Sequence, residues 1–166
     1  MDTQIFEPLG ISEEVLINKF HHEIQEIFNT MVGMDDILNF PLQVEPRTNF
    51  DDCVTAIVGF AGIFNGLLSL HVPEILALQF TSRMLGMEVA VLDDDVKDAL
   101  GEIANMIAGS FKHHLSKGGH EVRLSTPSII TGKEYMFSTG SAGETLSLLY
   151  DSNGECFLVH VALEQN

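Results

Sequence analysis

Glu102 and Asn105 stand three residues apart in a stretch, Asp94 to Ser116, whose spacing is helical. Three residues make about one helical turn, so a carboxylate and an amide emerge side by side. Asp98 lies one turn earlier on the same face, and Gly101 and Gly109 leave the backbone around the pair bare. Alone, a Glu and an Asn make no nucleophile. They can instead complete a site on another molecule. An amide donates one hydrogen bond and accepts another, which fixes the orientation of a water. A carboxylate can pair with a lysine on a partner and dock the helix. Phosphoryl-transfer sites gain much of their rate from positioning of this kind. The plainer reading is a solvated helix face with two tolerated glycines, each costing about 1 kcal/mol relative to alanine.

Other chemistries find no support in the residues. Gly-x-Ser-x-Gly is absent. Gly59-Phe60-Ala61-Gly62 is followed by no Lys-Ser/Thr, so it is no phosphate loop. His21-His22 and His113-His114 are adjacent pairs on helices. Neighbours diverge by about 100°, which prevents either pair from chelating from one face and leaves them as surface histidines. Cys53 and Cys156 lack CxxC spacing and lie in strand-like apolar runs, as buried free thiols do. The seven methionines read mostly as core filler.

The helix carrying Glu102 and Asn105 buries Leu100, Ile103, Ala104, Ile107, Ala108, Phe111 and Leu115 as one stripe, with Asp94 or Asp95 as cap and Gly118-Gly119 as stop. After an irregular lead-in from Met1 to Ile11, an earlier helix opens at Ser12 and runs to about Val32. Its apolar side is Ile24, Ile27, Phe28, Met31 and Val32. Leu42 to Phe50 reads as a strand, and Cys53–Phe60 with Ile63–Val72 as a hairpin. Pro73 opens a helix that ends at Gly86. His120 to Ile130 reads as a strand containing Pro127, and Gly132 to Gly143 as a loop with a short strand at Tyr135 to Ser138. A second hairpin turns at Asn153-Gly154.

The two halves look alike. His22-x-x-x-Glu26-x-x-Asn29-x-x-x-Gly33 aligns with Asp98-x-x-x-Glu102-x-x-Asn105-x-x-x-Gly109. We read a single domain over 1–166 with a weak internal duplication, roughly 12–86 and 94–164. The expected class is α+β: two long helices packed on a mostly antiparallel sheet.

Composition narrows the partners. A net charge of −16 argues against nucleic acid and anionic membranes, which need Lys and Arg to meet phosphate. It suits a basic protein partner, or simply solubility. No apolar run has transmembrane length, so no membrane insertion is expected, and the N-terminus lacks a basic signal region. A cytoplasmic location follows as an expectation.

Asp98-x-x-x-Glu102-x-x-Asn105, followed by a strand with Pro127 downstream, resembles the CheC/CheX/FliY family of bacterial chemotaxis phosphatases. The resemblance covers most of the chain, and one strong motif helix makes it more similar to the CheX branch than to the CheC branch. It implies a CheC-like fold and an enzyme that removes the phosphoryl group from the aspartyl phosphate of a CheY-like receiver domain. By that resemblance Glu102 would bridge to a lysine beside the phosphoaspartate, and Asn105 would orient the attacking water. Asp98, Gly101 and Gly109 would bind the partner. No cofactor is expected in this chain; Mg²⁺ would sit in the receiver, and the protein would be a homodimer. Glu26 and Asn29 form a candidate second site, although His22 and Gln25 replace Asp98 and Gly101 there, and Gln25 stands in the way of docking. Two other classes stay open: a module that docks a receiver or another signalling protein without hydrolysis, and a structural dimer with no receiver partner.

Overall fold

Ser12 opens the first helix, its Oγ accepting a hydrogen bond from the Val15 amide at 3.3 Å. That takes up one of the donors a helix start leaves unpaired. The computed structural model describes residues 9–117, 119–139 and 143–165, so most of the expected Met1–Ile11 lead-in, and Gly118, lie outside the described residues. Helix α1 (Glu13–Ile27) widens into a π-helical turn (Phe28–Val32). It closes at Gly33, which is left-handed and donates its N–H to the Phe28 carbonyl. Next come β1 (Leu38–Asn39), β2 (Asn49–Gly62), β3 (Phe64–Pro73), α2 (Glu74–Leu85) and α3 (Asp94–Leu115). The chain ends in β4 (Val122–Leu124), β5 (Ser128–Met136), β6 (Glu144–Ser152) and β7 (Glu155–Gln165).

The seven strands form one sheet in the order β1-β6-β7-β3-β2-β4, with β5 also on β2, and every pairing is antiparallel. At the centre β3 meets β7, with Leu70 opposite Val159. The outer strands are exchanged. β4 and β5, late in sequence, flank the early hairpin β2–β3, and β1, early in sequence, flanks the late hairpin β6–β7.

Helices cover one face of the sheet. Leu100, Ile103, Ala104, Ile107, Ala108, Phe111 and Leu115 of α3 are all buried as the periodicity predicts. Each large side chain among them contributes about 1.5–3 kcal/mol of transfer free energy. Phe20 packs on Phe111, and Phe28 on Phe80 and Phe157. The architecture is α+β as expected, and the shorter α2 joins the two long helices on the sheet, burying Leu76, Ala77 and Phe80. The opposite face carries a smaller cluster around Phe50, Cys53 and Leu158.

Several expectations need correction. Asp93 caps α3, ahead of Asp94 and Asp95, and Pro73 is the cap residue of α2. Of the expected Leu42–Phe50 strand only Asn49 and Phe50 are extended in the sheet, as the start of β2; over 42–48, Pro41 and Pro46 remove ladder donors, and the run makes one backbone bond to β6, Val44 N–H to the Ser147 carbonyl. The expected His120–Ile130 strand is two strands interrupted at residues 125–127, and the expected Gly132–Gly143 loop begins as the continuation of β5. The β5 side chains are mostly exposed, which hides an edge strand from hydrophobic patterning. Cys156 is exposed, while Cys53 is buried.

Candidate functional site

Helix α3 holds its first turn with Asp93, whose Oδ1 accepts from the Val96 amide at 3.2 Å. The following turns place Asp98, Glu102 and Asn105 in solvent, on the side away from the buried stripe. Among the described residues, no hydrogen bond or ion pair engages the side chains of Glu102 or Asn105. They line a groove of about 580 Å³ together with Asp98 and Lys97. Its apolar walls are Met31, Met106, Pro127 and Ile129. Lys97 keeps only a long ion pair to the exposed Asp94, at 3.9 Å.

Gly101 is used within the chain. It is buried, and a Cβ placed on it would lie 3.4 Å from Pro127 Cβ and 3.7 Å from Ile129 Cδ1. The break between β4 and β5 therefore lies directly against the helix at this point. Two hydrogen bonds anchor that break: Ser125 N–H donates to the Gly59 carbonyl at 2.9 Å, and the Gly59 N–H donates to Ser125 Oγ at 2.8 Å. Gly109 is half-buried and has open space around it.

The aligned positions on α1 make a different surface. Glu26 and Asn29 are exposed and line a smaller groove, about 230 Å³, with His22, Gln25 and Asp35. Gln25 Nε2 donates to the Ile37 carbonyl at 3.2 Å and to Asn39 Oδ1 at 2.9 Å, fastening the segment after α1 across the helix. Asn29 also lies in the π turn, whereas Asn105 lies in regular α-helix.

The histidine pairs split, one out and one in. His22 and His113 are exposed; His21 and His114 are buried, which corrects the expectation of surface histidines. His21 Nδ1 hydrogen-bonds Tyr150 Oη at 2.7 Å, and burial lowers the His21 pKa. His114 Nε2 donates to both carboxylate oxygens of Glu23, at 2.8 and 3.0 Å, tying α3 to α1. On the far face of the sheet, His71 bonds Thr55 Oγ1 and Ser69 Oγ, and Phe50 stacks on its ring. Burial, with His160 and Arg47 nearby, pushes its pKa down to about 3. His160 bonds Ser147 Oγ at 2.7 Å and is lowered by burial as well. Among the described residues, no three His, Cys, Asp or Glu side chains gather as a metal-holding group. No helix there is long and apolar enough to cross a membrane.

Sequence reasoning missed four groove residues: Met31, Lys97, Met106 and Ile129. Lys97 and Met106 adjoin Asp98 and Asn105, so a helical wheel of α3 would have found them. Met31 arrives from another helix and carries no local signal. The methionines are not core filler in general: Met34 is buried, but Met87, Met106 and Met136 are exposed.

Comparison with known proteins agrees with this geometry. The family model described as chemotaxis phosphatase CheX matches residues 54–150, more than half of the chain. The CheY-P phosphatase CheX of Thermotoga maritima is 28% identical over 119 residues, covering 65% of this chain and 77% of that one. The crystal structure of a chemotaxis protein CheX from Desulfovibrio desulfuricans superposes with a TM-score of 0.72 at 28% identity, over 89% of this chain and 97% of that one. A CheX from Borrelia burgdorferi, solved with CheY, BeF₃ and Mg²⁺, shares the fold at a TM-score of 0.69 and 22% identity, over 90% of this chain and 97% of that one. With the motif helix intact and the CheC-like fold in place around it, the chain belongs to the CheX family of chemotaxis phosphatases.

Proposed function

We infer that this chain hydrolyses the aspartyl phosphate of a CheY-like response regulator, with Glu102 and Asn105 as the residues that act on the partner. The exposure of Glu102 and Asn105, side by side in a groove of about 580 Å³ and unengaged among the described residues, carries the assignment to these residues. Family membership and the CheY-P phosphatase relative support the activity.

The chemistry is an in-line displacement. A water oxygen attacks phosphorus, the bond to the aspartyl oxygen breaks, and the products are inorganic phosphate and a free carboxylate. Asn105 enters the partner's site and holds the water by accepting one of its protons in a hydrogen bond, or donating to its oxygen. This is catalysis by orientation, with no covalent step on this chain. Glu102 accepts a charge-assisted hydrogen bond from a lysine ammonium on the receiver, which fixes the helix in register. Asp98 and the bare backbone at Gly109 complete the docking face. Mg²⁺ belongs to the partner's side of the interface.

Catalysis is assigned to the α3 pair and not to Glu26 and Asn29, because the fastened segment and the smaller groove on α1 obstruct an incoming receiver. The same reading includes a cytoplasmic homodimer. Its support is β5, an edge strand whose outer side pairs with no strand among the described residues.

The test is the decay of a phosphorylated CheY-like receiver with and without this protein. The wild type should accelerate decay, and Glu102→Ala and Asn105→Ala should each abolish most of the acceleration. Unchanged decay with measurable binding of the receiver would leave a docking module instead.

A further inference from the structure

Met31 is the one wall residue of the Glu102/Asn105 groove that comes from α1 rather than from α3 or β5 and the break before it. Its position depends on the π turn. In the alignment of the two helices Met31 matches Ile107, which is completely buried. A regular helix would carry residue 31 into the buried stripe with Ile24, Ile27 and Phe28, at i+3 and i+4 spacing. The π turn, closed from Gly33 N–H to the Phe28 carbonyl five residues back, lengthens the last turn. Val32 takes the core position, at 2% exposure, and Met31 swings to the half-buried edge, where it meets the groove. Met106 of α3, 48% exposed, lines the same groove.

We propose that Met31 and Met106, which line the groove of the Glu102/Asn105 pair, form an apolar clamp that reads an apolar side chain beside the phosphorylated aspartate of the receiver. Two unbranched thioethers share one groove with a polar pair, so the occupant must present polar reacting groups with an apolar side chain next to them. Methionine suits such a surface because its three rotatable bonds and polarisable sulfur adapt to side chains of different shape. The clamp sets which receivers dock, and the amide and carboxylate in the same groove act on whichever receiver is held. It rests on the receiver-phosphatase reading above.

The experiment measures kcat and KM for phosphoaspartate hydrolysis, and in parallel the Kd for a receiver held in its active form by beryllofluoride. Met31→Ala and Met106→Ala should each raise KM and Kd about 5- to 10-fold and leave kcat within about twofold, the pattern of lost uniform binding. Met31→Leu should recover most of the affinity, since it refills the volume. Urea midpoints of all three variants report folding, and Met106→Ala, at an exposed position, serves if Met31→Ala is destabilised. Unchanged KM and Kd in both alanine variants would overturn the clamp, as would a fall in kcat with KM constant. A wild type that binds the receiver without hydrolysis would defeat the phosphatase reading alone, and the Kd series would still decide the clamp.

Discussion

Helix α3, and α1 with the π turn that continues it, carry the same Glu-x-x-Asn spacing and a glycine four residues on, yet the groove beside α3 is the larger, about 580 Å³ against 230 Å³. The difference lies in what crosses each helix. On α3 a glycine lets Pro127 lie against the backbone, and the groove beside it stays open. On α1 the matching residue is Gln25, which holds the crossing segment by hydrogen bonds to Ile37 and Asn39. The π turn then shifts the phase of the residues that follow. A pair of functional side chains is thus only as good as the backbone beside it. The altered helix nevertheless contributes to the surviving groove through Met31.

The contrast breaks most sharply at the asparagines. Asn105→Ala should lower the rate of phosphate release about 10²-fold, equivalent to about 3 kcal/mol in the barrier. Asn29→Ala should leave it within about twofold. Equal losses in single-turnover assays would mean that both helices work, and that groove shape does not decide activity.

Acid should affect both grooves together, because the titrating histidines lie beneath the helices and on the far face of the sheet. An unfolded histidine binds a proton below about pH 6.5, whereas folded His71 resists protonation until about pH 3. The unfolded state therefore binds more protons in that window, and stability falls as pH drops through it. His71 alone should cost about 2 kcal/mol between pH 7 and pH 5, and His21 and His160 act in the same direction. Urea midpoints that stay flat from pH 7 to pH 5 would contradict this.

The smallest effect separates backbone roles. A Cβ at Gly109 meets open space, so Gly109→Ala should stabilise α3 by up to about 1 kcal/mol through helix propensity. If KM rises at the same time, the partner approaches the bare backbone there. An unchanged KM would remove Gly109 from the docking face.

Much of this was legible in the chain. The α3 stripe, the Ser12 cap and the Asn153-Gly154 turn are local: each follows from spacing or from a residue's own conformational preference, and Asn153 and Gly154 both have positive φ. The pair Glu102 and Asn105 was legible for the same reason. The π turn was not, since widening one turn leaves the apolar positions plausible as ordinary helix. Nor was the fate of the histidines: periodicity separates His21 from His22 by 100°, but only tertiary packing supplies Tyr150 to one and solvent to the other. Only the middle of strand β5 escaped, because Thr131, Gly132, Lys133 and Glu134 give no apolar alternation to read.

The exchanged outer strands set a timetable for biosynthesis. When β3 leaves the ribosome at Pro73, its neighbour β7 is still unmade, and β7 is complete only at Gln165. At about 5–20 residues per second, the apolar edge of β3 waits roughly 5–20 seconds for its partner. Until Val122 and Ser128 are reached, the nascent hairpin β2–β3 lacks β4 and β5 as well as β7. The central β3–β7 pairing, and with it the whole sheet, therefore cannot be completed before the last strand has been made.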